Sequence, residues 1–270
     1  MSTLTSLQPS ARDAETIFSR VLVGIDGSPE SLDAARQAAR LEKPGGSLTL
    51  LAAWNLAPPL VTPMTMLPAY DADGRAARGD AADALRSAKE QLPSARTMVV
   101  HDLPAHALID EITRAQSTLV AVGSHGQGRV AGALAGSTAT RLVHDAPCSV
   151  LVARKMRDRF PRRIAVGVDG SPQSATAYAA ARYLAGRFDG ELTVVVAEGG
   201  QPLDLAGVWL IAGDRFRTIP GEPVPVLAAA SVDVDLLVLG SRGMHGLKSL
   251  GSVSERVAHR AECSTLIVRG

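Results

Sequence analysis

Apolar and polar positions follow one another in blocks that predict strands and helices in strict alternation. Runs such as RVLVGID at 20–26 and STLVAVG at 117–123 are apolar at consecutive positions, which is typical of buried strands. Between such runs lie Ala-rich stretches with charges at helical spacing, for example residues 71–92. Strands that are apolar on both faces need helices on both sides. The pattern therefore predicts a doubly wound α/β fold with a parallel sheet.

The same pattern occurs twice along the chain. RVLVGIDGSPES, which begins at Arg20, returns as RIAVGVDGSPQS beginning at Arg163, and GSHG at Gly123 returns as GSRG at Gly240. Because the matches keep their order over long segments, they indicate a duplicated domain and not a solenoid of short repeats. We predict two tandem five-stranded parallel-sheet domains.

The boundaries of the two copies follow from where the matches begin and end. We predict a flexible N-terminal tail at 1–19, a first domain at 20–153, a charged linker at 154–162 and a second domain at 163–270. The stretch from the first-strand Asp to the GSHG or GSRG motif is 26 residues shorter in the second copy. We therefore expect the second domain to be reduced by about one helix, the counterpart of residues 71–92.

Composition excludes several classes of partner. The formal net charge is +1, which gives no reason to expect nucleic acid or a membrane surface. No apolar run is long enough for a membrane span, and the N-terminus lacks the apolar segment of a signal peptide. Two distant cysteines, Cys148 and Cys263, suit a reducing compartment. We expect a cytoplasmic protein.

A glycine-rich stretch, GSHGQGRVAGALAGST at 123–138, follows the fourth predicted strand. In such sheets ligands bind beyond the carboxyl ends of the strands, where Gly24 and Asp26 also lie after the first strand. Glycines let backbone amides approach an anion, and Gly136 and Ser137 then open a helix whose N-terminus favours phosphate. The alternative is a long glycine-rich connection that binds nothing.

The spacing Gly123-x2-Gly126-x9-Gly136-Ser137 resembles the G-2x-G-9x-G-(S/T) signature of the universal stress protein family. The first-strand VGIDGS and the last-strand PCSVLVAR resemble the same family, and the likeness covers both copies. It implies five-stranded α/β domains that, in the branch with this signature, bind ATP.

The resemblance also implies roles for individual residues. Asp26 would contact the adenosine, and the backbone near Gly24 and Ala53 would line the adenine slot. The residues implied around the ribose and phosphates are Gly123, Ser124, His125, Gly126, Arg129, Gly136, Ser137 and Thr138. Their counterparts in the second copy are Gly167, Asp169, Ala197, Gly240, Gly243, Gly251 and Ser252. In that copy only seven residues separate Gly243 from Gly251, so the second site departs from the signature.

No catalytic constellation, zinc spacing or complete Walker A motif is present. We therefore expect an ATP-binding, nucleotide-responsive regulatory module of the stress response, without a dedicated metal site and not an enzyme, although weak ATPase activity stays open. Mg²⁺ is compatible with bound phosphates because it needs few protein ligands. The alternatives are a slow ATP hydrolase or nucleotidyl-transfer enzyme, and a nucleotide-free dimerisation scaffold. The choice between ATP and another adenine nucleotide stays open. The apolar last strands, CSVLVAR and STLIVR, predict pairing between copies and a homodimer through these strands.

Overall fold

The computed structural model describes residues 11–55, 67–125, 136–199, 214–241 and 253–269. The strands in these residues are β1 (Arg20–Gly24), β2 (Ser47–Trp54), β3 (Arg96–His101), β4 (Leu119–Gly123), β5 (Ser149–Ala153), β6 (Arg163–Gly167), β7 (Glu191–Glu198), β8 (Arg215–Pro220), β9 (Leu236–Gly240) and β10 (Ser264–Val268). The helices are α1 (Ala11–Thr16), α2 (Pro29–Leu41), α3 (Leu67–Gln91), α4 (Pro104–Ala115), α5 (Ser137–Asp145), α6 (Pro172–Phe188), α7 (Pro223–Ala230) and α8 (Val253–Arg260).

All ten strands form one sheet in the order β3-β2-β1-β4-β5-β10-β9-β6-β7-β8. Each copy contributes five parallel strands in the same relative order, with its first strand between its second and fourth. In each half the second and third strands lie on one side of the first strand, and the fourth and fifth lie on its other side. The direction of the crossovers therefore reverses once, and each half is doubly wound. The predicted α/β class and the two tandem units of five parallel strands are confirmed, and the two units join into one sheet.

The two halves meet where β5 pairs with β10, the antiparallel neighbours of the sheet. The register aligns Leu151 with Leu266, and both side chains are fully buried. Both strands also pair on their other edge, with β4 and β9 respectively. The predicted homodimer through the last strands is therefore wrong in its interface, because neither strand has a free edge for a second chain. That two chains associate stays a prediction, without an assigned interface.

The second copy is shorter between its second and third strands. In the first copy 41 residues separate β2 from β3 and contain α3, whereas 16 residues separate β7 from β8. Within this shorter connection the described residues, 199 and 214, contain no helix, and residues 200–213 lie outside the described ranges. The connection is thus shorter by about the length of α3.

The N-terminal segment packs against the second copy. Phe18, just after α1, is fully buried, and its ring stacks on Tyr183 of α6 with the ring centroids 5.7 Å apart. Ala14 and Ile17 are buried as well. The predicted flexible tail through residue 19 is therefore wrong from residue 11 onward. The reason is that α6, far along the chain, supplies the apolar surface on which this segment packs, and no local sequence pattern predicts that contact.

The hydrophobic core is continuous across the two copies on one face of the sheet. There α2, α3 and α6, together with Ile17 and Phe18 after α1, form a single cluster that contains residues of both halves, such as Val23 and Val166. On the opposite face, α4 and α5 cover one cluster, and α7 and α8 cover another. Among the described helices none has the length and apolar character needed to cross a bilayer.

Candidate functional site

A cleft of about 310 Å³ opens at the carboxyl ends of β1 and β4. These neighbouring strands lead to helices on opposite faces, which is where open α/β sheets bind ligands. The volume lies at the lower end of the usual range for small-molecule pockets. The described lining residues are Gly24, Ile25, Asp26, Ser31, Leu51, Ala53, Pro104, Leu108, Val122, Gly123, His125, Gly136, Ser137, Thr138 and Ala139.

Asp26 is held at the mouth of the cleft by the start of α2. Its Oδ1 accepts hydrogen bonds from the Ser28 backbone N–H at 3.0 Å and from Ser28 Oγ at 2.6 Å. Ser28 is also the N-cap of α2 and accepts from the Ser31 N–H at 3.1 Å. This network fixes an exposed carboxylate beside the cleft, where it can accept hydrogen bonds from ligand hydroxyl groups.

Gly123, the last residue of β4, lies directly against the first turn of α2. A Cβ at this position would be 2.8 Å from the carbonyl carbon of Glu30 and 2.9 Å from its Cβ. The equivalent Gly240 has the same relation to α6, where a Cβ would lie 2.5 Å from the carbonyl oxygen of Gln173. Glycine is therefore required here by helix–strand packing, whether or not an anion binds.

The N-terminus of α5 forms one wall of the cleft. Gly136 is its N-cap, and among the described residues no side chain caps the helix. The first intrahelical bond of this turn runs from the Thr140 N–H to the Gly136 carbonyl oxygen. The amides of Ser137, Thr138 and Ala139 precede it, and such first-turn amides have no acceptor within an α-helix. Together with the positive end of the helix dipole, they form a surface suited to an anion.

The opposite part of the cleft is apolar. Leu51 on β2, Leu108 on α4 and Val122 on β4 are buried side chains that line it, and Ala53 leaves open space beside them. Sequence reasoning missed Ser31, Leu51, Pro104, Leu108, Val122 and other lining residues that carry no motif. Pro104 and Leu108 are four positions apart and so share one helix face, but only the strand order shows that this face meets β1.

The structure brings most of the predicted first-copy residues together around the cleft. Those that line it are Gly24, Asp26, Ala53, Gly123, His125, Gly136, Ser137 and Thr138. Ser124 is buried beside it, donates its N–H to the Ala153 carbonyl oxygen at 2.8 Å and places Oγ 3.1 Å from His125 Nδ1. Gly126 and Arg129 lie outside the described residues.

The second copy repeats part of this arrangement. Asp169 Oδ1 accepts from the Ser171 N–H at 3.0 Å and from Ser171 Oγ at 2.5 Å, as Asp26 does from Ser28. A Cβ on Gly167 would meet methyl groups of Leu227 and Leu239, both at 2.9 Å. Ala197 is half-buried against the neighbouring apolar cluster. The predicted residues Gly243, Gly251 and Ser252 lie outside the described ranges.

Comparison with known proteins shows which family this chain is similar to. The model of the universal stress protein family matches residues 18–154 and 215–269, which include parts of both copies. Universal stress protein Rv2005c of Mycobacterium tuberculosis is 29% identical, over 92% of this chain and 96% of that protein. Universal stress protein Rv2623 of the same organism is also 29% identical with the same coverage.

A solved structure shows the same architecture. The universal stress protein of Archaeoglobus fulgidus superimposes with a TM-score of 0.66 at 18% identity, over 94% of this chain and 98% of that one. This likeness supports the fold across both copies. Since the family model matches more than half of the residues, in segments of both halves, the chain belongs to the universal stress protein family in its tandem form.

Proposed function

We propose that the first copy binds an adenine nucleotide, with ATP as the leading candidate, and that the protein acts as a nucleotide-responsive regulatory module of the stress response. The observation that carries this proposal is the composition of the cleft between β1 and β4. It joins an apolar pocket, a fixed carboxylate and a helix N-terminus that no side chain of the described residues caps. The three parts of a nucleotide match these features in turn: a flat base, a sugar with hydroxyl groups and anionic phosphates.

Each part of the cleft supplies one kind of contact. The apolar side chains of Leu51, Leu108 and Val122 favour a planar base because its burial removes apolar surface from water. The Asp26 carboxylate accepts hydrogen bonds from sugar hydroxyls. The first-turn amides of α5 donate to phosphate oxygens at the positive end of the helix.

The proposed activity is binding without turnover. Among the described residues no group of three or more His, Cys, Asp or Glu side chains could hold a metal ion. We propose that Mg²⁺, where it takes part, enters with the phosphates and not through a protein site. We also propose a cytoplasmic setting, because Cys148 and Cys263 are buried free thiols that suit a reducing compartment.

The test fills the cleft without changing a hydrogen-bonding group. Ala53→Leu places a larger side chain into the open space beside Leu51, whereas Gly123→Ala would disturb the packing of α2 and confuse binding with folding. We expect Ala53→Leu to lower ATP affinity at least about 30-fold, which is about 2 kcal/mol. Isothermal titration of the purified full chain with ATP measures this directly.

Ala197→Leu is the matched control, because Ala197 occupies the same position on β7 that Ala53 occupies on β2. We expect it to leave the first-copy affinity unchanged. If the unmodified chain binds no adenine nucleotide, or if both leucine variants bind like the unmodified chain, the proposed function is wrong.

A further inference from the structure

Helix α5, whose N-terminus lines the cleft, is held at its other end by the second copy. Arg269 directly follows β10, and its Nη2 donates to the carbonyl oxygen of Val143 at 2.5 Å and approaches that of His144 at 3.5 Å. Its backbone N–H donates to Ser149 Oγ at 3.1 Å, across the pair of β5 and β10. These carbonyl groups belong to the last turn of α5, where a cation also offsets the negative end of the helix dipole.

The second copy also contacts α5 along its side. Ala258 of α8 and Ile267 of β10 belong to the same apolar cluster as Leu142 of α5. Thr140 Oγ1 lies 3.4 Å from His259 Nε2, which joins the second turn of α5 to α8. Contacts from the second copy therefore reach α5 at its side and at its carboxyl end.

Arg154 makes the reciprocal contact in the opposite direction. It follows β5, and its Nη2 donates to the carbonyl oxygens of Ala258 at 3.2 Å and His259 at 3.1 Å, at the end of α8. Its backbone N–H donates to Ser264 Oγ at 3.0 Å, as that of Arg269 does to Ser149. The two arginines are thus a matched pair across one seam, and Arg269 is the one that holds the helix of the described cleft.

We propose that the second copy braces the nucleotide site of the first, and that Arg269 is a positioning residue for the phosphate-facing end of α5. This inference rests on the proposed function. A nine-residue helix behaves as a short rod of about 13 Å, so a shift at its carboxyl end moves its N-terminal amides relative to the cleft. The guanidinium group fixes the carboxyl end by direct hydrogen bonds to its carbonyl groups.

The experiment compares Arg269→Met with Arg154→Met in the full chain. Both changes remove one arginine from one helix terminus across the same seam, so we expect similar losses of Tm. Arg269→Met should weaken ATP binding about tenfold, which is about 1.4 kcal/mol, whereas Arg154→Met should change it less than about twofold. Arg269→Lys keeps the charge and should recover part of the lost affinity. Isothermal titration gives the affinities, and calorimetry gives the Tm values.

The outcomes separate this inference from the proposed function. If the unmodified chain does not bind ATP, the proposed function fails and this inference fails with it. If the unmodified chain binds ATP and Arg269→Met binds equally well, or if both methionine variants lose affinity equally, only the bracing role is overturned. Should Arg269→Met not fold, Arg269→Lys against Arg154→Lys decides: a loss of about threefold in the former alone supports the role, and equal affinities overturn it.

Discussion

At the scale of the residue, the role of a site residue depends on the groups that it contacts. Gly123 illustrates this, because the sequence motif suggests a phosphate loop while the structure shows that α2 occupies the space of a side chain. Asp26 shows a related effect, since its carboxylate accepts hydrogen bonds from Ser28 within a local turn. Some residues thus serve packing and binding together, and substitutions must separate the two roles.

The packing role of Gly123 predicts a loss of stability on substitution. Gly123→Ala should lower the free energy of unfolding by about 2 kcal/mol, because the new Cβ would press on the backbone of Glu30. Gly79→Ala is the control, since a Cβ there meets nothing within 4 Å and alanine favours the α3 helix by about 0.5–1 kcal/mol. Urea unfolding measures both. Equal stability of the Gly123→Ala variant and the unmodified chain would contradict the packing argument.

The two cysteines predict a pH dependence. Burial raises the pKa of the Cys148 thiol from 9.0 to about 12, and burial does the same for the Cys263 thiol. Above pH 9 the unfolded chain therefore loses thiol protons that the native chain keeps. The free energy of unfolding should fall as pH rises between these values, by about 1.4 kcal/mol per pH unit for each thiol.

Urea titrations between pH 8 and 10.5 test this dependence, with Cys148→Ala/Cys263→Ala as the control. The control should lose less stability than the unmodified chain over this interval, because it has no thiol to ionise. Parallel pH profiles for the two proteins would show that these thiols do not contribute.

At the scale of the element, the sequence predicts what is local. The apolar runs at β1 and β4 predict those strands correctly, and the N-cap Ser28 followed by Pro29 is typical of a helix start, because these signals act within a few residues. Helix α1 was not predicted, because the surface that stabilises this segment comes from α6, far along the chain. The apolar wall of the cleft was not predicted for the same reason. Nothing in the sequence around Leu108 distinguishes it from other apolar helix residues, and it lines the cleft because the strand order places α4 against β1.

The docking of the N-terminal segment predicts a large effect at one side chain. Phe18→Ala should lower the free energy of unfolding by about 3–5 kcal/mol, because Phe18 is fully buried and stacks on Tyr183. Phe216→Ala on β8 is the matched control, because Phe216 is 41% exposed, and loss of its ring should cost about 1 kcal/mol or less. Similar losses for both variants would mean that the segment does not pack as described.

At the scale of the whole molecule, the two copies share one sheet and, on one face of it, one apolar cluster. The β5–β10 pair, the shared apolar cluster and the reciprocal arginines Arg154 and Arg269 all cross the boundary between them. The sequence predicted the duplication and the apolar last strands, but it placed their pairing between chains as well as within one. Only the pairing of β5 with β10 in the structure shows that the last strands of the two copies pair with each other within a single chain.

A shared core predicts cooperative unfolding of both copies. Each copy carries one buried cysteine, Cys148 or Cys263, which reports its own half. In increasing urea both thiols should become reactive at the same concentration, because loss of either half exposes the common cluster. Pulse alkylation followed by mass spectrometry of the cysteine peptides measures this. Reactivity of Cys263 at clearly lower urea than Cys148 would show that the copies unfold separately.

We propose that the cleft at the ends of β1 and β4 holds an adenine nucleotide, with its phosphates at the start of α5. A crystal structure of the full chain grown with ATP tests this most directly. We expect phosphate oxygens within hydrogen-bond distance of the amides of Ser137–Ala139 and a base against Leu51 and Leu108. A nucleotide bound elsewhere on the molecule, or a cleft closed by side chains at saturating ATP, would contradict it.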